Sequence, residues 1–336
     1  MENLLRKNSS KVTYFVFLGF SSRFELQVLL FCALLLVYLL TVTGNSIIIA
    51  VTVANTSLHT PMYFFLRILS ILDICFSSVA TPEMLLNLLS EERRISYIGC
   101  AAQMYFLIFL GGAECMLLAV MAYDRYLAIC NPLRYMFLMN QRVCLLLSLL
   151  SVVGGNLVSL VQTMWVFTLP FCGSNKIDYF FCDIPPLLKL SCTDTSIYEV
   201  QLLTATILVI FTPFVLILVS YILIISSILK MTSNEHKWKT FSTCSSHLLV
   251  VILYYGTSSL IYIKPQYIFS EDSAKMLALT YTAFTPMLNP VIYSIRNKEV
   301  QGALKKKLGE WKPPVFSTDG IYVILIMSLR TVNCVL

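Results

Sequence analysis

Few residues in this chain have side chains that could do chemistry, and most of those sit in apolar company. Asp73 and Glu114 each interrupt a long apolar stretch, 60–88 and 95–123. With no buried Lys or Arg beside them, two such carboxylates cannot both stay ionised unless a proton or a cation bridges them. Asn45 and Asn289 fall at comparable depth in two other apolar stretches, completing four polar side chains that could hold a sodium ion or share one proton. Asp124 and Arg125 are adjacent at the end of the third stretch, with Tyr221 and Tyr293 near the ends of two others. A guanidinium held by Asp124 in one state and released to a tyrosine, or to a partner's backbone carbonyl, in another is a switch. The three histidines, His59, His236 and His247, all fall at or near the side that the basic loops mark as cytoplasmic and no metal-spaced cluster accompanies them, so no catalytic constellation is expected.

The elements that must position these groups follow from composition. Of 336 residues, 57% are hydrophobic and only 12% charged, whereas soluble domains carry roughly a quarter charged residues. Disordered and nucleic-acid-binding chains need still more charge, so no nucleic acid partner is expected and a multi-span membrane protein remains. Intervals free of Asp, Glu, Lys and Arg run over 26–66, 143–175, 200–229, 240–263 and 276–295. The first is split by the turn-like run from Ala54 to Pro61, and the stretches holding Asp73 and Glu114 complete seven spans of about 20 residues or more.

Seven spans place the two ends on opposite faces. The loops on the C-terminal side hold Arg125, Arg134, Arg142, Lys230, Lys237, Lys239, Arg296, Lys298 and Lys305 to Lys307, against few acids, so that side is read as cytoplasmic. No cleavable leader is expected, because the first 25 residues lack an apolar run ending in small residues. The chain then divides into an extracellular tail (1–25), a seven-helix bundle (26–296), an amphipathic cytoplasmic helix (297–308) with Lys305 to Lys307 facing anionic lipid, and an atypical tail (309–336). Cys100, Cys172, Cys182 and Cys192 fall outside, where an oxidising compartment pairs them in one of three ways; Asn8 heads a glycosylation sequon in the outer tail. The remaining cysteines read as small apolar side chains. No internal repeat of the kind common in transporters is visible, and a seven-span carrier or channel is the second reading.

Short motifs at the span ends carry more. The third span ends Met121-Ala122-Tyr123-Asp124-Arg125-Tyr126-Leu127-Ala128-Ile129-Cys130 and the seventh Pro286-Met287-Leu288-Asn289-Pro290-Val291-Ile292-Tyr293. Together these resemble the rhodopsin-type G-protein-coupled receptors. With Leu58-His59-Thr60-Pro61-Met62-Tyr63-Phe64-Phe65-Leu66, Ser220-Tyr221, Lys239 to His247 and the loop from Phe181 to Cys192, the chain from about Phe17 to Leu308 resembles the odorant receptors. Tyr254-Tyr255-Gly256, where most rhodopsin-type receptors carry tryptophan and proline, is the odorant receptors' own variant, and Val152 and Val153 stand where the family commonly has a tryptophan.

The resemblance implies several assignments. It selects the pairs Cys100–Cys182 and Cys172–Cys192. It makes Asp124, Arg125, Tyr126, Tyr221, Asn289, Pro290 and Tyr293 a switch that opens a groove for the C-terminal helix of a stimulatory, olfactory-type G protein, raising cAMP. It places the chain in the plasma membrane, in the cilia of olfactory neurons. From the residues themselves, Met104, Leu107, Ile108, Gly111 and Cys115 share a helix face, and the Gly111-Gly112 pair either leaves room for a ligand or permits close helix packing. Thr206, Val209, Tyr255, Ser258, Ser259, Tyr262 and Thr282 would complete an apolar cavity with a few hydroxyls. Its outer stretch 103–112 has no acid to receive an amine, and no span offers a cation at that depth, so a small neutral volatile molecule is expected, bound at about micromolar strength or weaker. Gly111→Trp is expected to fill the cavity.

Overall fold

A computed structural model of the chain describes residues 12–19, 24–90, 92–171, 174–262 and 271–296, with Val300 and Gly302. The helices are α1 (Phe24–Ala54), α2 (Pro61–Leu89), α3 (Tyr97–Cys130), α4 (Gln141–Val166), α5 (Ser196–Lys230), α6 (Asn234–Tyr262) and α7 (271–296). Six of them, α1 to α6, have segments long and apolar enough to cross a membrane among the described residues. The seventh carries Lys275, Thr280, Thr282, Thr285 and Asn289, which lower its hydropathy, although it occupies the seventh place in the bundle.

These helices do not show a simple apolar stripe, because their outer faces meet lipid instead of water. On α4 the inward residues are small or polar (Ser148, Ser151, Gly155, Ser159, Gln162), while Leu145, Leu149, Val153, Leu157, Leu160 and Met164 lie exposed. Gly155 sits where α4 crosses α3. A Cβ there would lie 2.6 Å from both the Ala113 nitrogen and the Phe109 oxygen, so only glycine permits the approach. Ser159 reinforces the crossing by donating to the Tyr105 carbonyl at 2.5 Å.

The end of the bundle that bears the segment before α1 carries a feature that the sequence reading did not anticipate. Three short strands form a sheet: β1 (Tyr14–Phe17) lies between β2 (Arg94–Ser96), antiparallel, and β3 (Lys176–Ile177), parallel. The register sets Phe15 opposite Ile95 and Phe17 opposite Ile177. Alternation along β1 buries Phe15 and Phe17 completely, and Phe15 packs edge-on to Phe171, 5.6 Å between ring centres. The segment before α1 is thereby strapped to two loops over the end of the bundle.

Both α5 and α7 contain a wide, π-helical turn, Ile207–Phe211 and Thr280–Phe284. Each is followed by the same dipeptide, Thr212-Pro213 and Thr285-Pro286. Proline has no N–H for the carbonyl four residues back, and the threonine hydroxyls instead reach the carbonyls of Ile207 and Thr280, 3.3 Å away in both cases. The extra residue rotates the following helix and sets which side chains face inward.

Candidate functional site

A cavity of about 70 Å³ lies between α3, α4, α5, α6 and α7, beneath the loop that precedes α5. Leu107, Ile108, Gly111, Gly112, Thr206, Val209, Ser258 and Tyr262 of the sequence-derived set line it. Cys115, Val158, Gln162, Ile184, Leu202, Ala205, Ile210, Tyr254 and Tyr281 complete the wall, and none of the lining residues is acidic, basic or histidine.

Four expected wall residues do not line it. Met104 is fully buried in the core; Tyr255 turns away to donate to the Cys115 carbonyl at 2.7 Å; Thr282 donates to Ala278 O within its own helix at 2.8 Å. Ser259, one residue round α6 from Ser258, is half-buried and off the wall. A Cβ at Gly111 would lie 2.5 Å from the Tyr281 hydroxyl, itself on the wall, so a Gly111→Trp side chain meets Tyr281 as it enters the cavity. At Gly112 the nearest contact is the Gly155 Cα at 3.3 Å, which makes the glycine pair a matter of both helix packing and cavity wall.

The polar groups of the wall are mostly spent on the protein. Tyr254 donates to Gly111 O at 2.7 Å, Thr206 to Leu202 O at 2.8 Å, and Ser258 to Tyr254 O. Together Tyr254, Tyr255 and His247 tie α6 to carbonyls of α3, since His247 Nε2 meets Leu118 O at 3.1 Å. A carbonyl only accepts, so in the neutral ring Nε2 carries the proton and Nδ1 accepts from the Tyr221 hydroxyl, 2.8 Å away. His247, read from sequence as lying at the cytoplasmic face, is thus buried between helices.

Over the cavity, the loop is pinned to α3 by the Cys100–Cys182 disulfide and by Gln103 Oε1, which accepts from Cys182 N at 2.9 Å. Asp183 follows, buried; it accepts from Ile184 N at 2.8 Å and from the Tyr262 hydroxyl at 3.4 Å. Burial pushes its carboxyl up to about 6 from an ordinary 3.8, and those two hydrogen bonds oppose the rise. Cys192 is disulfide-bonded, and Phe171 bridges Ser191 beside it, while Cys172 lies outside the described residues.

Deeper in the bundle, Asn289 Nδ2 donates to both oxygens of Asp73 at 3.0 Å, and Asn45 Nδ2 reaches Thr41 O at 3.0 Å and Pro286 O at 3.2 Å. The pair ties α7 to α1 and α2 beside Pro290, which lies inside the helix. Asn45 Oδ1, Ser77 Oγ, Glu114 Oε1 and Asn289 Oδ1 are buried without partners. Among the described residues no group of three or more His, Cys, Asp or Glu could hold a metal, so any ion there would rest largely on neutral oxygens.

At the far end, Asp124 accepts from the Tyr135 hydroxyl at 2.8 Å, on the short helix Pro132–Leu138, where the sequence reading gave it Arg125 as partner. Arg125, next along the chain, is half-buried and forms no ion pair among the described residues. Tyr126 is half-buried with its ring 6.3 Å from Tyr123, and the Tyr293 hydroxyl is buried and unpartnered. Asn8 and most of 297–308 lie outside the described residues, as does all of 309–336.

Seven helices in this arrangement, with the Cys100–Cys182 staple, define the rhodopsin-like receptor class. The structure matches a crystal structure of squid rhodopsin with a TM-score of 0.68 over 92% of this chain and 93% of that one, at 16% identity, a likeness of fold. The olfactory receptor family model matches residues 31–311. Human olfactory receptor 10A7 is 51% identical over 305 residues, 91% of this chain and 96% of that protein, and human olfactory receptor 10A5 is 53% identical over 300 residues, 89% and 95%. The chain belongs to the olfactory receptor family: a multi-pass membrane receptor of the G-protein-coupled class, and not an enzyme.

Proposed function

We propose that this receptor binds a small neutral volatile molecule in the cavity between α3 and α7 and activates a stimulatory, olfactory-type G protein, raising cAMP. The observation that carries the reading is the wall itself: apolar side chains and glycines with a few hydroxyls, and no charge to compensate an ammonium or carboxylate taken out of water. Apolar burial supplies most of the affinity at about 25 cal/mol per Å², which for a volatile-sized molecule sustains about micromolar binding.

Arg125 is the transducing group. With Asp124 held by Tyr135 and the Tyr221 hydroxyl directed to His247, the guanidinium is free to meet a G-protein carbonyl once α6 moves away from α3. Asp73 and Glu114, with Asn45 and Asn289, share a sodium ion or a proton; the four orphaned oxygens around them favour a bridging species. The N terminus faces outside with Asn8 glycosylated, Cys172 pairs with Cys192, the basic run 297–308 lies on anionic lipid, and the receptor works in the plasma membrane of sensory cilia. A volatile library screened against a cAMP reporter tests the reading. Activation by neutral alcohols, aldehydes, ketones, esters or terpenoids is expected, and activation by charged amines or peptides alone would overturn it.

A further inference from the structure

Gln162 is the polar wall residue that the protein leaves unspent. It lies on α4, lines the cavity and is 2% exposed, and its Oε1 is buried with no hydrogen-bond partner. Its neighbours on the same face are satisfied: Ser159 donates to Tyr105 O and Asn156 to the Tyr105 hydroxyl at 2.7 Å. Across the cavity, the hydroxyls of Thr206, Ser258 and Tyr254 have each committed their single proton to a backbone carbonyl. What those hydroxyls still present is lone pairs. The cavity therefore holds unfilled acceptors, the amide oxygen foremost, beside two donors, the Gln162 NH2 and the hydroxyl of Tyr281, whose nearest partner is the Tyr254 hydroxyl at 3.5 Å.

A buried acceptor with no partner is a standing cost that a ligand donor can relieve, whereas a ligand that only accepts leaves it in place. We infer that Gln162 sets the ligand's functional group, selecting odorants that carry a hydroxyl, aliphatic or phenolic alcohols, over ethers, ketones and esters of the same size. A hydroxyl donates to Oε1 and can still accept from a neighbouring group, while an ether oxygen can do only the second. This inference rests on the neutral-ligand cavity proposed above and adds its chemistry.

The test is a concentration–response series in cells with a cAMP reporter, using straight-chain primary alcohols and their methyl ethers, with surface expression measured alongside. In the unaltered receptor the best alcohol should be at least about tenfold more potent than its ether, a difference of about 1.4 kcal/mol. Gln162→Met, close in volume and without the amide, should bring that ratio near one by weakening the alcohol. Val209→Phe, which narrows the same cavity from α5, should weaken alcohol and ether alike. Equal potencies in the unaltered receptor would overturn the inference whether or not any variant folds, as would an unchanged ratio in Gln162→Met. If Val209→Phe left both ligands unaffected, the cavity reading itself would be wrong.

Discussion

The buried carboxyl of Asp183 should make the loop before α5 sensitive to pH, in a direction fixed by its raised value. Its folded value is about 6 against an ordinary 3.8, so the closed loop binds its proton more tightly than an opened or unfolded one. A raised acid contributes stability that is fully present below about 3.8 and is lost as pH rises through about 6. At pH 7.4 the contribution is close to zero; at pH 5 the folded form is mostly protonated and the unfolded form mostly is not, a gain of about 1.4 kcal/mol. Asp183→Asn mimics the protonated side chain and removes the titration. Solubilised receptor melted at both pH values should show the unaltered protein gaining on the Asn variant by that amount on acidification, on the order of 2 °C in midpoint for a chain of this size. Comparing the two proteins cancels the histidines and the other acids, which are common to both. An identical pH response in the two, or a gain with the opposite sign, would refute the assignment of the buried proton to Asp183.

Arg125→Ala should leave ligand binding and surface expression nearly unchanged while abolishing the cAMP response, because the guanidinium acts about a bilayer thickness from the outer mouth; full signalling by the variant would count against it. Gly155→Ala forces a methyl into the α3 backbone and should cost about 1–3 kcal/mol, read as a lower melting temperature and reduced surface expression, whereas Gly256→Ala, with nothing within 4 Å, should be nearly neutral. Asp73→Asn and Glu114→Gln should each remove any effect of sodium on basal signalling; unchanged sodium dependence in both would leave the shared proton as the only reading.

How far the site could be read in advance differs residue by residue. Thr206, Ser258 and Tyr262 could be read because polar residues within a span face the bundle more often than lipid, and Val209 lies three residues on from Thr206 along the same face. Gln162 carries the same signal, a lone amide in α4, but shares its helix face with Ser148, Ser151 and Ser159, which pack against other helices, so its place on the wall needs the packed bundle. Tyr281 could not be placed at all. It faces the cavity through the wide turn Thr280–Phe284, and a shift of one residue in helical register defeats any count by three and four. The Asp124–Tyr135 bond was equally hidden, since Tyr135 lies beyond the end of α3 on a separate short helix.

The sequence by itself determined the class of the protein. Runs of about 20 apolar residues cross a bilayer whatever their neighbours do, basic loops bias orientation, and the motifs at the span ends stand in the family's order. What the sequence could not decide is which face of each helix looks inward, because lipid is as apolar as the core and an all-apolar helix carries no stripe to read. Only the packed bundle decides that the Gly155 backbone meets α3, that Tyr254 and Tyr255 reach the carbonyls of Gly111 and Cys115, and that Phe15 and Phe17 strap the segment before α1 across the outer end. Each of these contacts joins residues far apart in the chain, and its geometry is set by how the helices lie against one another.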